Sequence, residues 1–264
     1  MREETDRLLD SESDFFLREA YKTMRMNVNF SLADQAQCKV IIATSAQESE
    51  GKSITAANLA ISFAETDARV LLVDCDLRQP RMGRMLKINA PVGLSDVLVK
   101  PELLDEAMIS YKGKLDILLA GSIPPNPSEL LGSVRMQEFI RNAREKYDYI
   151  VLDTPPVNVV SDSLTLAPQS DGVLLVVRMN QSDRISVRAA IEQMEYAQVK
   201  ILGVVLNGVK LAAGHHGDRH YGRYGRKYGY GKYGYGAAPA AAEQTAEQKP
   251  AEKQEAAKKG AKKH

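Results

Sequence analysis

Long apolar runs are missing from this chain. No stretch approaches the roughly 20 residues needed to cross a bilayer, and the charged opening from Met1 to Asp10 lacks the apolar core of a signal peptide. The expectation is a cytosolic protein without a membrane span. Cysteine is scarce, with two among 264 residues, and tryptophan is absent. Cys38 and Cys75 sit inside or beside strand-like runs, where a free thiol acts as a small apolar filler, so no disulfide is expected. An excess of one charge sign is also lacking. A net charge of +1 exerts no global pull toward nucleic acid, and none is expected as a partner. What is present is 44% hydrophobic residues, enough for one substantial core and one main domain.

The pattern along the chain is α/β. Asp14 to Phe30 reads as a helix, with Phe15, Leu17, Tyr21, Met24 and Val28 supplying apolar surface. Short β-rich runs then alternate with helical segments, the signature of a parallel sheet with helices on both faces. Strands are expected over Cys38–Thr44, Val70–Asp74, Leu115–Leu119, Tyr149–Asp153, Val173–Arg178 and Ile201–Asn207, because each is a nearly continuous apolar run suited to burial on two sides. Ile54, Ala57, Ile61 and Ala64 repeat at helical spacing, as do Met136, Phe139, Ile140 and Ala143.

Composition changes after Lys210. From Tyr221 to Gly236, tyrosine alternates with glycine and basic residues and aliphatic side chains are missing, so this run cannot build a core. Beyond it the chain is rich in Ala, Glu, Gln and Lys and is expected to be disordered. The division is therefore a helical segment at 1–35, a nucleotide-binding domain at 36–210, a Gly/Tyr-rich tail at 211–236 and a charged, alanine-rich end at 237–264.

The chemistry begins where the strand Val40 to Thr44 runs into Ser45-Ala46-Gln47-Glu48-Ser49-Glu50-Gly51-Lys52-Ser53 and then into a helix from Ile54. Strand, loop and helix in that order make a phosphate loop, which predicts a P-loop NTPase-like sheet. Backbone N–H groups of Ser49, Glu50, Gly51, Lys52, Ser53 and Ile54 and the helix N-terminus hold the phosphates of ATP, Lys52 adds a cation, and the Ser53 hydroxyl ligates Mg²⁺. Ala46 and Ser49 stand where glycines are frequent, so a chance Gly-Lys-Ser in a surface loop is the competing account of this run alone. Asp74 and Asp76 follow a second strand and Asp153 ends another. A single aspartate at a strand end is commonly a turn or helix cap. Three at the carboxyl edge of a parallel sheet, beside a phosphate loop, favour a metal site and a proton acceptor.

These residues resemble the cytoplasmic tyrosine kinases of bacterial capsule and exopolysaccharide synthesis, the BY-kinases, in the form separate from its membrane adaptor. The resemblance spans Phe15 to Asn207 and the tyrosine tail. It rests on Glu19–Arg25, the phosphate loop, Asp74–Pro80, Gly93–Leu98, Pro124–Leu131 and Asp153–Pro156. It implies that Lys52 and Ser53 serve nucleotide and magnesium, that Asp74 and Asp153 belong to the metal shell, that Asp76 is the catalytic base, and that Asn207 lies beside the adenine. It also implies that Glu19, Lys22 and Arg25 mediate ring assembly, with Lys22 where the family usually has arginine and so without the bidentate fork.

The tail then reads as the acceptor. Tyr221, Tyr224, Tyr228, Tyr230, Tyr233 and Tyr235 have no apolar partners, and a glycine beside each frees the backbone to enter a cleft. The stretch from Asn207 to Tyr221 spans at most about 50 Å extended, enough for a neighbour's site or its own. Stacking on RNA and contact with anionic lipid are the other uses of such a tail. His215, His216 and His220 in a polar linker are assigned no metal. The whole is expected to be an ATP-dependent tyrosine autokinase acting in trans, recruited to the inner face of the membrane by an adaptor of the polysaccharide chain-length type and reset by a cognate phosphatase. A partitioning or division-type ATPase is the first alternative, and a nucleotide-gated scaffold without catalysis is the second.

Overall fold

The computed structural model describes residues 8–10, 13–34 and 38–209. The tail at 211–264, with its six candidate acceptor tyrosines, lies outside the described residues.

The elements run α1 (Phe15–Ser31), β1 (Lys39–Ser45), α2 (Lys52–Ala64), β2 (Val70–Asp74), α3 (Met82–Leu86), α4 (Leu94–Val99), α5 (Leu104–Ala107), β3 (Met108–Ser110) and β4 (Leu115–Leu118). They continue with α6 (Pro127–Leu131), α7 (Val134–Lys146), β5 (Tyr149–Asp153), α8 (Asp162–Leu166), β6 (Gly172–Arg178), α9 (Arg184–Tyr196) and β7 (Ile201–Asn207). Seven strands form one sheet in the order β3-β4-β2-β5-β1-β6-β7. All neighbours are parallel except β3, which pairs antiparallel with β4. This short edge strand is an addition to the parallel sheet that the sequence led us to expect. Its three residues are too few and too exposed to leave a period in the sequence.

The alternation of the pleat divides the core in two. Val40 and Ile42 of β1 join Leu94, Val97 and Leu98 of α4, Phe139 and Ile140 of α7 and Met194 of α9 on one face. Ile41 and Ala43 join α1, α2 and α3 on the other. That double cover is why the strands read as continuous apolar runs. Ala57 and Ile61 of α2 and Met136, Phe139, Ile140 and Ala143 of α7 are buried, as the helical spacing requires, with Ile54 and Ala64 partly so. The α2 residue Phe63 stacks on Tyr149 of β5 with ring centroids 3.8 Å apart.

Helix α1 is capped by Asp14, whose carboxylate accepts the Phe16 N–H at 2.8 Å. Tyr21 and Val28 bury against α2, with Leu17 and Met24 packed beside them. Phe15 does not join them and is 64% exposed, because the helical twist carries it to the opposite side together with Met26 and Phe30. Both cysteines are buried and free. Burial lifts the Cys38 thiol to about 12.

Candidate active site

Chain order places β1 between β5 and β6, while the connection through α2 leads to β2 on the far side of β5. The strand order reverses at β1, and at such a point a crevice opens at the carboxyl ends of the strands. The loop from Ala46 to Gly51 lies there. Ala46 is wholly buried and its backbone is not left-handed, so a methyl group fits where glycine is frequent. Ser49 does adopt the left-handed region, with φ of 62°, without the freedom of glycine. Gly51 needs its missing side chain twice over. Its φ is 97°, and a Cβ would fall 1.9 Å from Nδ2 of Asn207.

Side chains supply the rigidity that a glycine-poor loop must borrow. Glu50, 1% exposed, accepts the Gln47 N–H at 2.9 Å with one carboxylate oxygen and bonds Ser182 Oγ with the other. Arg178 donates to the carbonyl of Ser49 at 3.0 Å, and Asn207 Nδ2 donates to the carbonyl of Glu50 at 3.0 Å. The ends of β6 and β7 thereby brace the loop from one side. The sequence assigned Asn207 to the adenine side, and its contact with the loop, like those of Arg178 and Ser182, was not foreseen, since their local sequence carries no motif for it.

On the other side stand the carboxylates. Asp74 and Asp153 are register partners at the ends of β2 and β5. Lys52 Nζ lies 2.9 Å from Asp76 Oδ2, 3.5 Å from Asp153 Oδ1 and 3.3 Å from Ser53 Oγ. Burial acts to lower the Lys52 pKa, but the charges of Asp153 and Asp76 outweigh it and hold the ammonium above its ordinary value. Burial raises Asp74 well above the usual carboxylate range, and the charge of Asp153 beside it adds to the effect. Asp153 is raised too, first by burial, against the pull of Lys52. One oxygen of Asp74 accepts the Asp76 N–H at 3.1 Å, while the other is buried with no partner among the described residues. The Ser53 hydroxyl bonds Asp153, the register partner of Asp74, so a buried orphan carboxylate oxygen, a second carboxylate and a hydroxyl share one strand edge, and oxygen donors of this kind suit a hard cation. Among the described residues, no group of three or more His, Cys, Asp or Glu could hold a metal ion by itself. Mg²⁺ commonly takes one or two carboxylates from a protein and completes its shell with water and phosphate oxygens.

The cleft over the loop encloses about 160 Å³ and is lined by Lys52, Ser53, Asp76, Arg78, Pro156 and Arg178, among others. Glu19, Lys22 and Arg25 are not part of it. On α1, Lys22 pairs with Glu19 at 2.6 Å, and Arg25 donates to the Ser62 carbonyl of α2.

Known proteins fall into line with this geometry. The family model described as NUBPL iron-transfer P-loop NTPase, ParA, matches residues 37–231. The chain is 40% identical over 210 residues to tyrosine-protein kinase YwqD of Bacillus subtilis strain 168, covering 79% of this chain and 86% of the relative. It is 35% identical over 222 residues to tyrosine-protein kinase CpsD of Streptococcus agalactiae, covering 81% and 95%. Among solved structures, the kinase domain of Escherichia coli tyrosine kinase ETK superposes with a TM-score of 0.69 at 30% identity, covering 76% of this chain and 80% of that one.

Proposed function

The chain belongs to the ParA-type P-loop NTPases and, within them, to the bacterial tyrosine kinases of capsule and exopolysaccharide synthesis, and from that membership we propose that it transfers the γ-phosphoryl group of MgATP to tyrosines of its own C-terminal tail. It is a protein-tyrosine kinase with a fold that binds nucleotide together with a metal ion. The observation that carries the proposal is the convergence of Asp74, Asp76 and Asp153 on Lys52 and Ser53 at the phosphate loop.

Lys52 and the N–H groups from Ser49 to Ile54 bind the phosphates, and Asn207 flanks the base. Ser53, Asp74 and Asp153 hold Mg²⁺, which when bound supplies positive charge to the phosphate oxygens. Asp76 is paired with Lys52 at 2.9 Å. Phosphates competing for the ammonium release that carboxylate to accept the proton of an incoming phenol, which is otherwise protonated at pH 7. The phenolic oxygen then bonds to the γ-phosphorus. The bond from that phosphorus to the β–γ bridging oxygen breaks, its electron pair leaves on ADP, and the phenol proton ends on Asp76.

The acceptors are Tyr221, Tyr224, Tyr228, Tyr230, Tyr233 and Tyr235, supplied in trans by a neighbour in a ring. Contacts of Glu19, Lys22 and Arg25 with a second copy must extend or replace the bonds these residues already make within the chain. No helix among the described residues is long and apolar enough to cross a membrane. Recruitment to the membrane by an adaptor, and reversal by a phosphatase, complete the proposal, in which each phosphotyrosine adds roughly −1.5 to −2 charges to a basic tail and loosens the ring. Incubation of the full chain with MgATP, alone and with the adaptor's cytoplasmic segment, followed by mass spectrometry, tests it. Phosphotyrosine between Tyr221 and Tyr235 is expected, and its absence under both conditions overturns the proposal.

A further inference from the structure

Two sequence segments, Leu77–Pro80 and Pro124–Leu131, have no part in the transfer just described, yet folding joins them at the cleft. Arg78 donates through Nε to Asp162 Oδ2 at 2.9 Å and through one terminal nitrogen to Asp162 Oδ1 at 3.1 Å and to Ser128 Oγ at 2.9 Å. Ser128 in turn donates to Asp162 Oδ1 at 2.5 Å. Asp162 has no exposed side-chain surface, whereas Arg78 is 38% exposed and lines the cleft with Lys52 and Asp76.

A fork-on-fork pair of this kind fixes the guanidinium plane. Burying the carboxylate is expensive, and apolar packing would join these three segments as firmly. What the ion pair adds is an aimed cation. Of the arginines lining the cleft, Arg178 is tied to the loop backbone at Ser49 and Arg81 to the Gln79 amide, while Arg78 has a buried carboxylate behind it. Its remaining terminal nitrogen is engaged by no described residue. Two positions along the chain from Asp76, it lines the same cleft.

Resting on the kinase reading above, we propose that Arg78 is a second cation for the phosphoryl group in transit, held in aim by Asp162 and Ser128 as positioning residues. As the phenolic oxygen bonds to phosphorus and ADP leaves with the electron pair of the broken bond, negative charge spreads over the three equatorial oxygens. The free N–H groups of Arg78 meet that charge and keep their protons throughout, while the phenol proton goes to Asp76.

The test compares binding of MgADP with binding of MgADP–aluminium fluoride, a mimic of the group in transit, by calorimetry on the full chain. Arg78→Ala and Arg78→Lys should leave MgADP affinity within about twofold and weaken the mimic about 100-fold, the size of one lost transition-state donor. Lysine fails because it lacks the fork. Millimolar guanidinium should restore part of the loss in Arg78→Ala. Asp162→Asn should weaken the mimic about tenfold and add nothing to Arg78→Ala. Arg78 variants that bind the mimic like the original chain overturn the assignment. So does a parallel fall of MgADP affinity, mimic affinity and melting temperature, which is what a mere loop brace would give. If Arg78→Ala fails to fold, Arg78→Lys decides alone. An original chain that binds the mimic but phosphorylates no tyrosine sinks the kinase reading and leaves Arg78 in place.

Discussion

The two walls of the cleft differ in kind. The wall from β6 and β7 meets the phosphate loop without an ion pair among the described residues, mostly at its backbone: Arg178 on the Ser49 carbonyl, Ser182 on the Glu50 carboxylate, Asn207 on the Glu50 carbonyl. The wall from β2 and β5 meets it through charge, with Asp76 and Asp153 on Lys52 and Asp74 behind them. One wall keeps the shape of a loop that has few glycines. The other concentrates unlike charges where a phosphoryl group would pass. Changes on the first should therefore act on nucleotide affinity, and changes on the second on turnover or on the metal.

The sharpest break in that division would come from Asp76→Asn. The amide keeps the acceptor for the Gln79 N–H, now at 3.1 Å, but cannot take a phenol proton. Turnover should fall by about 10²- to 10⁴-fold, the range of a lost general base, while nucleotide affinity changes by no more than a few-fold. Equal losses in both, measured by phosphotyrosine formation and nucleotide titration, would erase the distinction between the walls. Gly51→Ala probes the opposite wall. It forces a left-handed alanine and drives the Asn207 amide off the loop, at roughly 1–3 kcal/mol. Nucleotide should bind about 5- to 150-fold more weakly, with turnover at saturation largely kept.

The smallest effect is one of acidity. Asp74 has a raised pKa through burial and the charge of Asp153, so the native state favours its protonated form. That stabilising contribution is fully present below the ordinary carboxylate value and is lost as pH rises through the raised native one. Without metal, Asp74→Asn should thus melt above the original chain at neutral pH, and the gap should close on acidification. With Mg²⁺ and nucleotide the order should invert, because the amide is a poorer ligand. A thermal scan series across pH, with and without the metal, reads both signs.

Much of this was legible beforehand because it is local. All six expected strands begin and end within one residue of the expected boundaries, since burial on two faces writes an unbroken apolar run into the sequence. Lys52, Ser53 and the three aspartates were legible as well, because a phosphate loop and strand-end carboxylates recur at fixed offsets from the elements that carry them. Phe15 was misplaced because its neighbours fix the helix but not which side packs. The edge strand β3 owes its existence to β4 alone. Asp162, Arg178 and Ser182 gave no signal, for each meets a site partner far away in the chain: 84 residues between Arg78 and Asp162, 129 between Ser49 and Arg178 and 132 between Glu50 and Ser182.

By itself the sequence determined that this protein has a doubly covered sheet with a lysine and three carboxylates at the carboxyl edge of its strands, because hydrophobic period and motif spacing are properties of neighbouring residues. Only the tertiary structure decided how a phosphate loop with Ala46 and Ser49 in place of glycines keeps its shape, and which arginine in the cleft has a buried carboxylate at its back. Those outcomes depend on hydrogen bonds between segments far apart in the chain, whose partners are chosen by the packing of the sheet and leave no period to read.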